Sequence, residues 1–339
     1  MTPATWLHFA AATLLAGVPA LASAQELNLY TTREPGLVQP LLDAFTAQSG
    51  VKVNTIFLKD GLTERVGQEG DKSPADVLMT VDFGKLVELV DLGMTQPVTS
   101  DALTAAIPAH LRDPGGNWFA LSLRARVLYA AKDLDLTEFH YEQLADPEWQ
   151  GRVCIRSGQH PYNVALISSY IAHHGEAAAE EWLTGVKGNL ARKAGGGDRD
   201  VARDIMGGIC DIGIANSYYM GQMLSGNGGP EQIEWANAVK MIYPTFENGG
   251  TQVNITGAAV AKYAPNPEQA VQLLEYLVSP EAQKIYAEAN FEHPLDPQVE
   301  VSELIGQFGT LVPDEMPLTE INTHRAAASA LAEKVGFDN

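Results

Sequence analysis

The chain has 339 residues, 45% of them hydrophobic and 19% charged, with a formal net charge of −20. That length supports a sizeable core and two domains, and the composition is that of a soluble globular protein. So acidic a balance argues against nucleic acid and anionic lipid as partners, and a solvated acidic surface accounts for most of the charge.

In chain order, the first feature is "WLHFAAATLLAGVPALASA", an apolar run ending in the small-x-small pattern Ala22-Ser23-Ala24 before Gln25. It is short for a membrane span. A secretory signal over residues 1–24, removed near Ala24, is therefore expected, although no Lys or Arg precedes the run. No cysteine follows the cleavage point, so no lipid anchor is expected, and no other stretch has the length and apolarity of a span. The mature protein is expected to be exported and soluble.

"ELNLYTT" (26–32) then alternates like a strand, and Pro35 suits the first turn of a helix with Leu37, Leu41 and Phe45 on one face and a stop at Gly50. "VKVNTIFL" and "DVLMTV" are strands, and a helix from Phe83 to Leu92 follows with Asp82 in position to cap it. "WFALSLRARVLYAAK" (118–132) is too rich in alternating and aromatic residues to be helical and reads as strand. A second series follows: "RVCIRS" as strand, "PYNVALISSYIAHHG" and "AAAEEWLTGVKGNL" as helices, and "CDIGIANS" as a strand running into a helix. "AVKMIYPT" and "GAAVAKYA" are strand-like, and "PEQAVQLLEYLVSPEAQKIYAEAN" is helical with a second start at Pro280. The alternation predicts a parallel α/β sheet. Segments 118–126 and 236–246 are candidate crossings between two lobes, and a cleft between such lobes binds ligands at the carboxyl ends of strands.

Two cysteines in an exported chain, Cys154 and Cys210, predict a disulfide, with metal binding by lone thiols the lesser alternative. Cys154 stands eight positions before Tyr162, and Cys210 eight before Tyr218. If both segments are parallel strands of one sheet, a bridge holds them in register and brings both tyrosine loops to one edge. Asn216 or Ser217 as N-cap puts Tyr218 and Tyr219 in a first helical turn, where free amides and the helix dipole favour negative charge. Phenols ionise near pH 10, so phenolates at neutral pH need a strong cation beside them. Three of them point to a hard, highly charged ion, and ferric iron fits best. In a chain with eleven tyrosines an adjacent pair also arises by chance, and taken alone the pair reads as packing.

The segments "LYTTREP", "GVKVNTIF", "RVGQEGDKSPADVLMTVD", "WFALSLRARVLYAAKD", "PYN", "NSYYMGQML" and "ENGGTQVNITGAAVAK" are where the chain resembles the ferric-ion-binding periplasmic proteins of ABC iron importers. The resemblance runs over nearly the whole mature chain. It implies the type II periplasmic binding protein fold, two α/β lobes joined by hinge strands with a ligand cleft between them. Lobe 1 would be 25–122 plus 246–290, and lobe 2 would be 123–245 plus 291–339. It also implies that Tyr162, Tyr218 and Tyr219 bind Fe(III). A branch of the family adds a His-Tyr pair after the first strand, where this chain has Glu34 and Pro35. The resemblance is closer to the branch that completes the shell with a synergistic anion, typically carbonate, held at the positions of Arg33 and Arg124. A forked, permanently charged guanidinium suits a planar oxyanion, and a surface ion pair is the plain alternative for each arginine. Glu34 is open between a direct ligand, a group bonded to a ligand, and a solvated carboxylate. Arg126 is expected to face away from the partner of Arg124 and to be structural, and His173 and His174 to be solvent-exposed. The implied partners are an inner-membrane ABC permease and its ATPase, with no nucleic acid and a monomeric state expected in the periplasm. The alternative is a binding protein of the same fold for a polyamine, thiamine or a phosphonate. No G-x-S-x-G, H-E-x-x-H or G-x-G-x-x-G motif occurs, and no enzymatic activity is expected.

Overall fold

Residues 26–339 are described by the computed structural model, so the expected signal segment and its cleavage point lie outside the described residues. Nine strands form the sheet: β1 (Glu26–Thr31), β2 (Lys52–Phe57), β3 (Val77–Thr80), β4 (Thr95–Gln96), β5 (Phe119–Ala131), β6 (Val153–Cys154), β7 (Ile212–Asn216), β8 (Val239–Ile242) and β9 (Val253–Ala261). Their order is β2-β1-β3-β9-β5-β7-β6, with β4 beside β9 and β8 beside β5. The α/β class is as expected, but the sheet is mixed rather than parallel. β1 pairs β2 and β3 in parallel, as β6 pairs β7, whereas β9 runs antiparallel to β3 and β5, and β5 antiparallel to β7 and β8. Alternation along a strand reports which face is buried and is silent on the direction of its neighbour.

The long β5 ties the sheet together. Its first part, Phe119–Ala125, pairs β9, and from Arg126 onward it pairs β7, with Arg126 opposite Asn216. The cores follow this division. Phe119, Leu121 and Leu123 join a cluster with Leu27, Phe45, Phe83, Trp118 and Leu273. Beyond Arg126 the strand alternates: Leu128 and Ala130 face a cluster with Trp149, Ile167 and Trp182, while Val127 and Tyr129 face one with Val201, Tyr218 and Met220. The chain returns from β8, ending at Ile242, to β9, starting at Val253, so the second passage runs through 243–252 and overlaps only the end of the 236–246 segment.

Several helices open on proline, whose missing N–H is no loss there: Pro35–Ser49, Pro161–His174, Pro267–Leu277 and Pro280–Asn290. The first of them buries Leu41 and Phe45 as read in the sequence, together with Leu42 and with Val38 in place of Leu37. The helices Asp198–Met206 and Arg325–Lys334 had no strong signal; the latter packs on Pro161–His174. Among the described residues no helix is long and apolar enough to cross a membrane.

Candidate functional site

Two adjacent parallel strands aim the tyrosines. β6 lies beside β7 with Cys154 opposite Gly213, and a Cβ at Gly213 would collide with the Cys154 carbonyl and Val201, so only glycine permits this approach. Cys154 and Cys210 form the expected disulfide, Cα–Cα 5.9 Å, with Cys210 just ahead of β7 rather than inside it. After β6 the chain turns into the helix Pro161–His174 with Tyr162 second in it. His160 occupies its N-cap, and its Nδ1 accepts the Tyr162 backbone N–H at 3.2 Å. Burial, then the nearby Arg156 charge, pushes the His160 pKa down to about 4, which keeps that nitrogen free to accept. After β7 the helix Ser217–Leu224 carries Tyr218 and Tyr219 in its first turn. Asn216 holds the N-cap position, but its side chain accepts from Arg126 instead of capping, and Ser217 Oγ accepts the Ala125 N–H of β5 at 3.3 Å.

The three phenols converge. Tyr162 Oη and Tyr218 Oη are 3.5 Å apart, and the Tyr218 and Tyr219 ring centres are 4.2 Å apart. Guanidinium groups surround them: Arg124, Arg126 and Arg156 lie 5.6, 5.9 and 5.2 Å from the Tyr162 ring centre, and Arg199 lies 5.0 Å from that of Tyr219. Arg124 Nη1 is 3.4 Å from Tyr162 Oη. Burial first, then the Tyr162 and Tyr219 phenols, holds the Tyr218 pKa well above its ordinary value, and burial raises Tyr219 in the same way. Without a cation beside them the Tyr218 and Tyr219 hydroxyls keep their protons, whereas a cation bound there would displace them. Among the described residues no group of three or more His, Cys, Asp or Glu side chains is arranged to hold a metal. Oxygen donors from phenols are the chemistry on offer.

Arg126 is buried and does hold the frame, donating to Asp198 (2.7 Å), Asn216 (3.1 Å) and Asn163 (2.6 Å). It does not, however, face away from Arg124's surroundings. Residues two apart on a strand share a face, and both arginines lie near the Tyr162 ring. Arg124, also buried, donates to the carbonyls of Val81 and Ile255. Arg33 is buried two residues past β1, and its Nη1 lies 2.7 Å from Glu292 Oε1. Glu34 is exposed, at the N-cap position of Pro35–Ser49, without a capping hydrogen bond.

Two other expectations change. Asp82 stands at the N-cap of Phe83–Asp91 but does not cap it; Asn254 Oδ1 accepts the Phe83 N–H at 3.1 Å, while Asp82 accepts from Asn254 Nδ2 (2.8 Å) and pairs with Arg325 (3.2 Å). His173 is not solvent-exposed: its Nε2 is 2.8 Å from Asp314, with both side chains almost fully buried. His174 bonds Glu142 at 2.7 Å and is partly covered. The sequence reading missed Asp198, Arg156, Arg199 and Glu292. Only the fold brings them together, and none stands in a motif.

The topology, a strand shared between two sheet halves with the cluster beside it, is that of the type II periplasmic binding proteins, a class that carries solutes and does not transform them. The chain belongs to the family described as bacterial extracellular solute-binding protein, which matches residues 72–307. It is similar to a Bordetella ferric binding protein, with 60% identity, coverage of 93% of this chain and 100% of that one, and a TM-score of 0.89. A Trichodesmium protein solved in complex with iron and citrate ligands is 41% identical over 92% of this chain and 99% of its own, with a TM-score of 0.88. Iron uptake protein A1 of Synechocystis sp. is 39% identical over 316 residues, 92% of this chain and 88% of its own.

Proposed function

We propose that this protein captures Fe(III) as cargo in the periplasm and delivers it to an inner-membrane ABC permease driven by its ATPase. Tyr162, Tyr218 and Tyr219 supply three phenolate ligands, and a synergistic anion such as carbonate, bound by Arg33 and Arg124, completes the shell. The observation that carries the reading is the convergence of three phenols, two of their oxygens 3.5 Å apart, within a ring of guanidinium groups. The similarity to ferric-binding relatives over more than nine-tenths of the chain supports it. Phenolates favour a trivalent oxygen-seeking ion, and the arginines offset the charge that the phenols acquire. The halves of the sheet on either side of β5 serve as lobes that close by bending at β5 and 243–252.

The test is a ferric titration followed by visible absorbance, in carbonate-free and carbonate-containing buffer. A phenolate-to-iron charge-transfer band is expected, strengthened by carbonate and lost in Tyr218→Phe. No band in either buffer would overturn the iron reading, and a band indifferent to carbonate would remove the roles of Arg33 and Arg124.

A further inference from the structure

Both tyrosine turns are tied to one carboxylate that belongs to neither of them. Asp198 opens the helix Asp198–Met206, and its side chain is fully buried. Its Oδ2 accepts the backbone N–H of Asn216 at 2.8 Å, where β7 gives way to the helix of Tyr218 and Tyr219. The same oxygen accepts Arg126 Nη1 at 2.7 Å, and Arg126 Nη2 donates to Asn163 Oδ1 at 2.6 Å. Asn163 follows Tyr162, and its Nδ2 donates to the carbonyls of Arg156 (2.9 Å) and Ser157 (3.0 Å), which closes the turn between β6 and the Tyr162 helix. The other oxygen, Oδ1, accepts Arg156 Nη1 at 3.1 Å, and that guanidinium lies 5.2 Å from the Tyr162 ring centre. The helix does not need Asp198 at its start, because Asp200 accepts the Gly197 N–H there at 2.7 Å.

We propose that Asp198 is a positioning residue that sets the spacing of the cargo phenols, holding the Tyr162 turn and the Tyr218–Tyr219 turn in one frame. It acts through Arg126, Asn163 and Asn216 rather than on the cargo, and the inference rests on the iron reading above. The disulfide fixes Cys154 and Cys210, each eight residues before its tyrosine, so the turns themselves need a second tie. Bonds to a buried carboxylate are charge-assisted and hold geometry more firmly than neutral ones. A charge role and a positioning role differ in sign. On the iron reading, loading replaces three neutral phenols by three phenolates, Fe(III) and a carbonate dianion, which leaves the filled site more negative than the empty one. Arg33, Arg124, Arg126, Arg156, Arg199 and Glu292 keep their charges when residue 198 is changed. Electrostatics alone would therefore favour loading once the Asp198 charge is removed. Loss of the shared anchor disfavours it.

The experiment measures ferric affinity and charge-transfer absorbance per bound iron, in carbonate-containing buffer, for wild type, Asp198→Asn, Asn163→Ala and the double variant. Each is studied well below its own melting temperature. Asp198→Asn keeps the shape of the side chain and one acceptor oxygen. It should weaken ferric binding by roughly 10- to 100-fold, the scale for groups that orient a metal's ligands. It should also lower the absorbance per iron, which a loss of stability alone does not alter. Asn163→Ala cuts only the arm to Tyr162, leaves every charge in place, and should weaken binding by roughly tenfold. Two cuts in one chain of contacts do not add, so the double variant should bind within about twofold of Asp198→Asn. Equal or tighter binding in a folded Asp198→Asn, weaker binding with the wild-type absorbance per iron, or fully additive losses overturn the inference. If Asp198→Asn does not fold, Asn163→Ala decides: affinity and absorbance both lowered support the inference, and both unchanged overturn it. A wild type without any ferric band overturns the iron reading and this inference together, whereas a normal wild-type band with unmoved variants sinks this inference alone.

Discussion

The two ends of β5 face different demands. Beyond Arg126 the strand lies between two cores, one on each face, and is flanked by a disulfide-linked pair of strands. There the buried Arg126–Asp198 pair ties Asn163, beside Tyr162, to Asn216, just before Tyr218. Before Arg126 the strand pairs β9, and Glu292 reaches its Arg124 from far along the chain, from the turn after Pro280–Asn290, and pairs in turn with Arg33 just past β1. The tyrosines stand on the cross-linked end, while Arg124 precedes Arg126 on β5 and Arg33 follows β1. Cargo ligands need fixed spacing, which covalent and buried ionic links supply. Groups that compensate charge need only be near, so they can come from elements that move relative to the grip.

Removing the disulfide should have the largest effect on that contrast. The bridge spans 56 residues, so the chain-entropy model gives about 4 kcal/mol for it. Cys154→Ser/Cys210→Ser should lower the denaturant midpoint accordingly and loosen the Tyr162–Tyr218 spacing, seen as weaker ferric binding in the folded protein. A double variant with unchanged stability would show that noncovalent packing alone fixes the cross-linked end.

The junction between the ends should be acid-sensitive. Burial pushes the His293 pKa down to about 4 from an ordinary value of 6.5. The folded value lies below the unfolded one, so the stabilisation is full above about pH 6.5 and is lost as pH falls toward 4. For so deeply buried a group this amounts to about 3 kcal/mol. Melts across that window should show the loss in wild type and a shallower one in His293→Gln.

Tyr162→Phe and Tyr218→Phe should each weaken ferric binding by roughly a hundredfold or more, since changes merely around a metal's ligands already cost 10- to 100-fold. Exposed Glu34 marks the other extreme: Glu34→Ala should alter binding by less than about threefold at moderate salt, where screening reduces the reach of a surface charge. A large Glu34 effect would mean that the end carrying Arg33 also contributes a cargo ligand.

How much of this the sequence could carry depended on whether a signal is local. The strands, the proline-started helices, the tyrosine turn and the cysteine pair were legible, because alternation, caps and compartment act over a few residues. The direction of β9 was not, since its neighbours β3 and β5 are far away in sequence. Nor was Glu292, which looks like any glutamate until the turn at Phe291 buries it against Arg33. Nor was the side on which Arg126 lies, since β5 continues to Ala131 and keeps residues 124 and 126 on one face.

Asp82 and Asn254 give a small effect on stability and the sharpest reading of that limit. An aspartate just before a helix is a strong local sign of a cap, yet the Phe83 N–H is taken by Asn254 of β9, 171 residues away, and Asp82 serves by holding the Asn254 amide and pairing with Arg325. The cap is therefore a contact between β9 and the helix after β3, made within the half of the sheet that has no disulfide. Asn254→Ala should cost about 1 kcal/mol, the usual scale for a lost cap, read as a lower denaturant midpoint. Asn254→Asp should keep the acceptor for Phe83 but set two carboxylates side by side, so its stability should lie below wild type and recover when Asp82→Asn is added. If instead Asp82→Asn alone costs as much as Asn254→Ala and the pair of changes is additive, the aspartate caps the helix in solution and the long-range contact is idle.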